Sequence, residues 1–492
     1  MRERLPLYRS AQVRAMDQHA IASHGVSAAT LMQRAGDAAW ALLRERWPDA
    51  REIGIACGPG NNGGDGYIVA LRAKQAGCTV RVVCPHGASP RTPESRHALA
   101  AWRAAGGSVS GFDGMLPAAD VWVDALYGTG LTRPPSEEAQ AVIERIIASR
   151  LPGLSLDVPS GLDADTGHAS GAAVRAAVTL SFVAGKRGLY TGMARDFDGD
   201  VRVDRLGLPA AVFADVQPAA WLARPGDLRR WLAPRRADAH KGEHGHVLCI
   251  GGEAGMGGAV RLCAEGALRT GVGLASVATR SEGVAALVAA RPEAMTHAVE
   301  SAADLERLLP RATVLAVGPG LGQGAWGRAL YGVAVDSGTP LVLDADALNL
   351  LAAAPQRVPQ AILTPHPGEA ARLLGSDKRA VQADRFGAAD ALAKRHACVV
   401  VLKGAGTIVA APGEVPVVIG AGNPGMATGG MGDVLSGVIA ALEAQGLAPF
   451  QAAVAGALLH SAAADAAARI GGERGLLPSD LFPHLRRMAN PE

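Results

Sequence analysis

Several features that would assign this 492-residue chain to a common functional class are absent from it. It has no G-x-x-x-x-G-K-[ST] motif, so a P-loop nucleotide-binding protein is not expected. No apolar run is long enough to span a bilayer, and the charged opening MRERLPLYRS is not followed by the apolar segment of a secretory signal. The net charge is only +2, with both signs interspersed, which argues against nucleic acid or an anionic membrane as a partner. We therefore expect a cytoplasmic protein that is not exported.

Cysteine and aromatic residues are also scarce. No two cysteines form a C-x-x-C pair, and most lie in or beside apolar runs, which predicts buried reduced thiols rather than disulfides or a zinc site. The six cysteines are Cys57, Cys78, Cys84, Cys249, Cys263 and Cys398. Aromatic residues make up 4% of the chain, whereas there are 62 glycines and 30 prolines. This composition is typical of an α/β enzyme with many strand-to-helix turns, and the length predicts two or three domains.

Short apolar strands alternate with alanine-rich helices along most of the chain. Two amphipathic helices, over 10–24 and 27–46, precede the first strand at Ile53–Cys57. Strands that are apolar on both faces predict a parallel sheet with ligands at the carboxyl ends of its strands. The pattern lapses between about Leu206 and Gly226 and then restarts. We expect two different α/β domains, over residues 1–215 and 222–492, without a repeat between them.

Three strand ends in the first domain carry polar residues beside glycine turns, in CGPGNNGGDGYIVA, VDALYGTGL and LDVPSGLDADTG. The first segment can be read as an ordinary glycine-rich strand-to-helix turn. In a parallel sheet, however, the three ends can converge on one crevice. Oxygen atoms of Asn62, Asp124 and Ser160 would there suit a hard monovalent or divalent cation.

These motifs together resemble the NAD(P)HX epimerase family, also called the YjeF N-terminal domain, from the opening helices to about residue 205. The resemblance implies a Rossmann-like three-layer parallel sheet. It implies K⁺ held by Asn62, Asp124 and Ser160, and Asp157 as the acid/base candidate, although a role limited to hydrogen bonding stays open. The implied substrate-binding residues are Asn61, Asn62, Gly63, Gly64, Asp65, Gly128, Thr129, Gly130, Leu131, Thr132, Arg133, Pro134 and Asp157.

The densest glycine segment in the second domain is GNPGMATGGMGDVLSG, residues 422–437, which precedes an apolar helix. Backbone N–H groups at a helix start favour a phosphate. Asp433 can be read as an N-cap or as a general base beside a phosphate site. His366, held between two prolines in TPHPGE, and Lys403, at the end of an apolar strand before two glycines, follow other strands. Both are placed to contact a ligand.

The segment GMGDVLSG resembles the G-x-G-D signature of ribokinase-like enzymes. With GHVLCIGG, GPGLG, DADALNLL, TPHPGE and LKGAGT it is similar, over roughly 225–483, to the ADP/ATP-dependent NAD(P)HX dehydratase family. The resemblance implies a ribokinase-like α/β domain in which Asp433 is the catalytic base. The implied substrate-binding residues are Ala259, Gly320, His366 and Asp433. The implied adenine-nucleotide residues are Lys403, Gly404, Ala405, Gly406, Thr407 and Gly432.

The two resemblances together imply a bifunctional repair enzyme for hydrated NADH and NADPH, with K⁺ in the first domain and Mg²⁺ and ADP in the second. The epimerase would interconvert (R)- and (S)-NAD(P)HX, and the dehydratase would convert the (S) form to NAD(P)H. The family also implies a homo-oligomer, which we expect to be a tetramer. One alternative is a ribokinase-like, vitamin-type small-molecule kinase with a nucleotide-binding N-terminal module. Another is a first domain that only binds nucleotide or protein.

Overall fold

The computed structural model describes residues 4–85, 89–131 and 133–491. They divide into two units, one from Pro6 to Ala220 and the other from Trp221 onward together with Arg4 and Leu5. This division lies inside the stretch 206–226, where the alternation of strands and helices lapses in the sequence. Both units are built from a largely parallel sheet and helices, which confirms the expected α/β class.

The first unit is built on a seven-stranded parallel sheet with the order β4-β3-β2-β5-β6-β7-β9, as far as the described residues show. Strands β1 and β8 also pair in parallel, with Leu7 opposite Gly185. The strands are β1 (Leu5–Tyr8), β2 (Glu52–Cys57), β3 (Thr79–Cys84), β4 (Val109–Gly111), β5 (Val121–Ala125), β6 (Gly153–Leu156), β7 (Val178–Phe182), β8 (Gly185–Lys186) and β9 (Asp200–Asp204). The helices are α1 (Ser10–Ser23), α2 (Ala28–Arg46), α3 (Asn61–Gln75), α4 (Pro93–Ala104), α5 (Glu137–Ser149) and α6 (Ala211–Ala214), with 3₁₀ turns at Arg187–Tyr190 and Gly192–Asp196.

Alternate residues of the central strands of this sheet enter two separate apolar cores. Ile55 of β2 and Val123 of β5 belong to a core with the opening helices. Ala56 and Trp122, their neighbours in the chain, belong to a second core with α5. Because side chains of a strand point alternately to opposite faces, helices cover both sides of the sheet. This is the three-layer arrangement expected from the sequence.

The second unit has a larger sheet with the order β13-β12-β11-β14-β15-β16-β17-β18-β19-β10. The strands from β13 to β17 are parallel, whereas β17, β18 and β19 form an antiparallel meander. The strands are β10 (Ala220–Ala223), β11 (His246–Ile250), β12 (Leu274–Thr279), β13 (Met295–Ala298), β14 (Val314–Val317), β15 (Leu341–Leu343), β16 (Ala361–Leu363), β17 (Val399–Leu402), β18 (Ile408–Ala410) and β19 (Val417–Ile419). The helices are α7 (Gly257–Thr270), α8 (Ser281–Ala290), α9 (Ala302–Glu306), α10 (Ala325–Asp336), α11 (Ala345–Ala353), α12 (Pro367–Leu374), α13 (Lys378–Ala383), α14 (Arg385–His396), α15 (Met431–Ala444), α16 (Pro449–Gly471) and α17 (Leu481–Met488). The 3₁₀ turns are Pro225–Arg230, Lys241–His244, Leu309–Arg311, Pro424–Met426 and Pro478–Asp480.

Helix α15 is the buried centre of the second unit. Small residues let its neighbours come close: a Cβ atom added to Gly437 would lie 1.9 Å from the carbonyl oxygen of Cys263 in α7. A Cβ atom on Gly456 of α16 would lie 2.7 Å from the side chain of Ile439. Because both neighbouring helices pack against its backbone, α15 is held rigidly, and its first turn is fixed relative to the sheet.

The structure differs from the sequence interpretation in several short elements. The stretch 206–226 contains α6 and β10, where no regular element was expected, and β1, β4, β8, β13 and β19 were also not foreseen. These elements have two to four residues, which is too short for a periodic pattern to be recognised. No helix in the described part of the chain combines the length and the apolar character needed to cross a bilayer.

Candidate active sites

The first site lies where strand order reverses between β2 and β5, the position at which open parallel sheets bind ligands. The turn after β2 is tightly packed: a Cβ atom on Gly58 would lie 1.8 Å from the carbonyl oxygen of Leu126, and one on Gly63 would lie 2.0 Å from that of Gly58. Gly58, Gly60 and Gly63 have the G-x-G-x-x-G spacing of dinucleotide-binding turns, so the interpretation of this segment as lacking that motif is wrong. The predicted residues 61–65 form the start of α3.

Asn62, Asp124 and Ser160 come from three of the segments at this edge. The Ser160 hydroxyl donates to Oδ1 of Asp124 at 2.6 Å, and its backbone N–H donates to Oδ2 at 2.8 Å. Asn62 donates its amide to the carbonyl oxygen of Leu156 at 2.7 Å, while its own Oδ1 is buried and has no hydrogen-bond partner among the described residues. A buried oxygen without a donor is costly, and a bound cation would satisfy it.

Asp157 follows β6 and faces the turn after β5. Its backbone is left-handed, with φ of 68°, which a short polar side chain tolerates better than most. The Thr129 N–H donates to Oδ2 at 3.1 Å, and a Cβ atom on Gly128 would lie 2.7 Å from the same oxygen. Of the other residues predicted in this turn, Gly130, Arg133 and Pro134 are exposed and Leu131 is half-buried, whereas Thr132 lies outside the described residues.

Lys186 is the main residue of this site that was not foreseen. Its side chain is 0% exposed, and its ammonium group donates to Oδ1 of Asp157 and, at 2.6 Å, to the carbonyl oxygen of Phe182. Two more carboxyl groups contribute to the local field. Burial, reinforced by the charge of Asp157, raises the pKa of Asp17 to about 6 and that of Asp65 well above its ordinary value. The site therefore has one buried cation among three carboxyl groups.

The second site is built on a similar cluster at the carboxyl ends of β15, β16 and β17. Lys403 donates from Nζ to Oδ1 of Asp344 at 2.7 Å, and the hydroxyl of Ser436, in α15, donates to the other oxygen at 2.9 Å. Glu369 lies 3.9 Å from the same ammonium group. Burial opposes the charged form of Asp344, yet Lys403 holds the pKa of that carboxyl group below its ordinary value. Asp344 was not among the predicted site residues.

Asp433 lies in the first turn of α15, facing this cluster. The N-cap of the helix is Gly430, with φ of 93°, so the interpretation of Asp433 as the N-cap is wrong. Burial, with the nearby charge of Asp344, raises the pKa of Asp433 to about 7, against the opposing effect of Lys403. A carboxyl group with a pKa near neutrality can accept and return a proton easily, which suits a general base.

His366 is the N-cap of α12. Its Nδ1 accepts the N–H groups of Gly368 and Glu369 at 2.9 and 3.3 Å, and Glu369 accepts the His366 N–H in return. An accepting Nδ1 requires the neutral ring, and burial followed by the charge of Lys403 lowers its pKa. The ring therefore has a structural role, and its Nε2, the nitrogen that can donate, lies 3.4 Å from Oε1 of Glu369.

Ala259 and Gly320 lie at the strand-order reversal of this sheet, between β11 and β14. The two loops are joined by a hydrogen bond of 2.7 Å from the Glu253 N–H to the Gly320 carbonyl oxygen. A Cβ atom on Gly320 would lie 3.3 Å from that of Ala259. The structure therefore brings these two predicted residues together.

The predicted nucleotide loop, Lys403–Thr407, connects β17 to β18. Gly404 and Gly406 have φ of 134° and 58°, so only glycine fits this turn without strain. Beneath it, the fully buried Arg385 donates to the carbonyl oxygens of Leu402 and Lys403 at 3.2 Å. A Cβ atom on Gly432 would lie 3.1 Å from Nζ of Lys403, so the glycine-rich helix start and this loop adjoin.

Other residues of the second site were also missed. Asp465 of α16 accepts from the Gly422 N–H and the Asn423 amide at 2.9 Å, which orders the glycine-rich segment before α15. His460, on the same helix, is buried, and burial followed by the charge of Lys403 lowers its pKa to about 4. Neither lies beside a glycine turn in the sequence, so no local signal identified them. Across the described ranges, no three or more His, Cys, Asp or Glu side chains form a group suited to a metal.

Comparisons with known proteins were made for the whole chain. Two family models match it: YjeF-related protein N-terminus over residues 28–188 and NAD(P)H-hydrate dehydratase over residues 247–487. The chain is 48% identical over 495 residues to the bifunctional NAD(P)H-hydrate repair enzyme Nnr of Coxiella burnetii (strain RSA 493 / Nine Mile phase I), with 99% of each chain covered. It is 45% identical over 469 residues to the protein of the same name from Escherichia coli (strain K12), with 95% of this chain and 91% of that one covered.

Among solved structures, the chain is similar to a ribokinase-like superfamily protein from Enterococcus faecalis V583. The sequence identity is 27% and the TM-score is 0.52, with 56% of this chain and 99% of that chain covered. This likeness confirms the ribokinase-like fold that was expected for the second unit.

Proposed function

Because the chain belongs to the family of bifunctional NAD(P)H-hydrate repair enzymes, we propose that it performs two reactions on hydrated nicotinamide nucleotides. The domain over residues 1–215 interconverts the (R) and (S) epimers of NADHX and NADPHX. The domain over residues 222–492 dehydrates the (S) epimer to NADH or NADPH, with ADP converted to AMP and phosphate. Two sites that each combine a buried lysine with three carboxyl groups support an enzyme with two proton-transfer centres.

In the first reaction, the nucleotide lies at the reversal between β2 and β5, against residues 61–65 and the turn 128–134. The C6 carbon of the substrate bears a hydroxyl group and the ring nitrogen. Proton transfer to the hydroxyl group lets it leave as water, and return of water to the other face reverses the configuration. Asp157 is the acid/base for this exchange, since its carboxylate points at the glycine turn that would hold the ring.

A potassium ion fits beside this site. Asn62 supplies a buried oxygen without a donor, Asp124 a buried carboxylate and Ser160 a hydroxyl oxygen, and oxygen ligands are those that a hard cation takes. The ion would supply positive charge close to the nucleotide phosphates. The residues of this chain hold the surrounding backbone in place, because Asp124 accepts from both groups of Ser160.

In the second reaction, Asp433 takes the proton of the C6 hydroxyl group as that oxygen attacks the terminal phosphoryl group of ADP. The observation that carries this assignment is the position of Asp433 in the first turn of α15 with a pKa of about 7. Backbone N–H groups around Gly430–Gly432 stabilise the phosphoryl group in transfer. Phosphate is a better leaving group than hydroxide, so the lone pair of the ring nitrogen expels it and leaves a C=N bond at C6. Loss of a proton from C5 to solvent then forms the C5=C6 double bond of the dihydronicotinamide. Ala259, Gly320 and His366 bind the substrate.

The nucleotide fits between Gly432 and the loop Lys403–Thr407, where glycines leave room for phosphate groups. Mg²⁺ would be held mainly by the nucleotide phosphates, as is usual for this ion, and would offset their charge. Lys403 remains beside Asp344 and Asp433 and contributes a fixed positive charge. We further infer a cytoplasmic homo-oligomer, a tetramer, and the free state of all six cysteines agrees with a reducing compartment. Light scattering on the purified chain tests the assembly.

The deciding experiment measures recovery of dihydronicotinamide absorbance from a mixture of both NADHX epimers with Mg²⁺, K⁺ and ADP, and then with ATP. Rapid and complete recovery supports both activities. Recovery that stops at the amount of the (S) epimer leaves the dehydratase in place and reduces the first unit to a binding module. No recovery with either nucleotide contradicts the proposal and favours a vitamin-type kinase.

A further inference from the structure

The first unit buries a charged lysine that neither the motifs nor the proposed mechanism uses. Lys186 is 0% exposed, although it lies in the two-residue strand β8 next to a 3₁₀ turn. Burying an ammonium group costs several kcal/mol unless close partners compensate for it. A stable fold could place an apolar residue here at lower cost, so the charge calls for a functional explanation.

The partners of Lys186 identify what the charge acts on. Its ammonium group donates to the carboxylate of Asp157, the proposed acid/base, and to the Phe182 carbonyl oxygen at 2.6 Å. The Phe182 N–H, in turn, donates to the same carboxylate oxygen of Asp157 at 3.4 Å. Two donors therefore fix the position of this oxygen and leave Oδ2 directed at the Thr129 N–H and Gly128.

The other charged groups that face this pair are carboxyl groups from two helices. Asp17 comes from α1 and Asp65 from α3, and both interact electrostatically with Asp157 and Lys186. Without Lys186, the three carboxyl groups would face one another in a buried space with no cation. Like charges so placed retain protons, because ionising all of them is unfavourable.

We propose that Lys186 is a positioning residue for the epimerisation, whose ammonium group pairs with one oxygen of Asp157 and leaves the other directed at the substrate turn. This inference rests on the proposed function of the first unit. When water returns to C6, a new C–O bond forms, the electron pair of the C=N bond returns to the ring nitrogen, and the water loses a proton. Asp157 accepts that proton on Oδ2, the oxygen that faces the glycine turn, while Oδ1 stays hydrogen-bonded to Lys186.

The test is the variant Lys186→Met, with Lys186→Arg as the charge-retaining variant. The rate of interconversion of purified (R)-NADHX and (S)-NADHX is followed by chromatography across pH, without adenine nucleotide. We expect kcat of Lys186→Met to fall by about 100-fold with little change in KM. The acidic limb of its pH profile should move to higher pH by about one unit or more. Lys186→Arg should keep the limb at the wild-type pH and recover part of the rate.

Two controls separate this role from a structural one. Lys74→Met removes an exposed lysine that donates to the Gly106 carbonyl oxygen, and it should change neither rate nor profile. Dehydration of pure (S)-NADHX by the same Lys186→Met chain should proceed at the wild-type rate. If Lys186→Met does not fold, Lys186→Gln decides, because it keeps a polar end group of similar length but lacks the charge, and it should move the acidic limb to higher pH in the same way.

Each outcome has a defined meaning. An unshifted profile in a folded Lys186→Met chain, or in Lys186→Gln where that variant decides, overturns the inference while the epimerase assignment stands. Absence of interconversion by the wild-type chain overturns the assignment and the inference together.

Discussion

The two candidate sites contain the same set of charges but distribute them differently. In the first unit, Lys186 lies among Asp157, Asp17 and Asp65, and in the second, Lys403 lies near Asp344, Glu369 and Asp433. Each lysine therefore lies near three carboxyl groups. In the first unit the lysine pairs with the proposed acid/base itself. In the second it pairs with Asp344, a neighbour of the proposed base.

This difference in pairing sets how each carboxyl group handles a proton. Asp433 has no close ion pair with Lys403, so burial prevails and raises its pKa to about 7. It is therefore poised to take a proton from an alcohol. Asp157 instead has its carboxylate bound to an ammonium group. The carboxyl group that pairs with the lysine, and not the number of charged groups, therefore determines the chemistry available at each site.

The backbones at the two carboxyl groups differ as well. Asp433 lies in a regular helix turn, where backbone N–H groups are available to a phosphoryl group. Asp157 ends a strand with left-handed backbone geometry, which turns its side chain toward the neighbouring glycine turn. A phosphoryl-transfer site needs the first arrangement, whereas an exchange of water needs only a well-placed carboxylate.

The largest effect is expected from Asp433→Asn, which removes the proposed base of the second site. Dehydration of (S)-NADHX with ADP should fall by about 10³-fold or more, since nothing else can take the hydroxyl proton. Interconversion of the epimers by the same chain should keep its wild-type rate. Absorbance recovery and chromatography measure the two activities. A loss of both would show that the two sites are not independent.

A smaller loss is expected from Asp157→Asn in the first site. Asparagine tolerates left-handed backbone geometry and is similar in size, but it cannot exchange a proton. Epimer interconversion should fall by about 10²-fold or more, and dehydration of pure (S)-NADHX should be unaffected. The time course of absorbance recovery from the epimer mixture reports both the interconversion and the dehydration. An unchanged interconversion rate would leave Asp157 with a binding role only.

The next prediction concerns the glycine turn that Asp157 faces. Gly128→Ala would place a methyl group 2.7 Å from Oδ2 of Asp157 and 3.2 Å from the Asn62 amide nitrogen. We expect kcat/KM for interconversion to fall by about 10-fold, because the carboxylate of Asp157 must move. Gly130→Ala is the matched control, since its Cβ atom would meet no atom within 4 Å. Equal effects of the two substitutions would contradict this geometry.

The smallest effect is on the stability of the second unit. The folded-state pKa of Asp433, about 7, lies above its ordinary value of 3.8. Between pH 3.8 and about 7, the folded chain therefore binds a proton that the unfolded chain has released. The stability that the neutral carboxyl group contributes is lost as pH rises through about 7. Asp433→Asn should therefore stabilise the second unit by about 2 kcal/mol above pH 7, and by nothing below about pH 4. Thermal unfolding across pH measures it, and a gain independent of pH would contradict the assignment.

Residues next to glycine turns at strand ends could be identified from the sequence. Asp157, Asp124, Lys403 and Asp433 all follow an apolar strand or open an apolar helix, and parallel strands place their ends at one edge. Their assembly into sites follows from those local patterns. Their roles in binding and catalysis stay predictions, since only the assays described above test them.

The residues that the sequence did not identify lack such a local pattern. Lys186 is 29 positions after Asp157, and Asp344 is 59 before Lys403, so neither pair has a local spacing that reveals it. His366 had a recognisable loop, yet only the folded helix showed that its Nδ1 accepts two backbone N–H groups. Ion pairing between distant segments depends on strand order, which short strands do not disclose.

The sequence by itself determined the α/β class, the two-part organisation and the positions of the glycine turns, because strand alternation and turn chemistry are local properties of the chain. Only the tertiary structure decided which carboxyl group each buried lysine pairs with. Lys186 reaches Asp157, and Lys403 reaches Asp344 rather than Asp433. That choice depends on distances of a few ångströms between segments far apart in the chain, and electrostatic interaction in a buried site depends strongly on such distances.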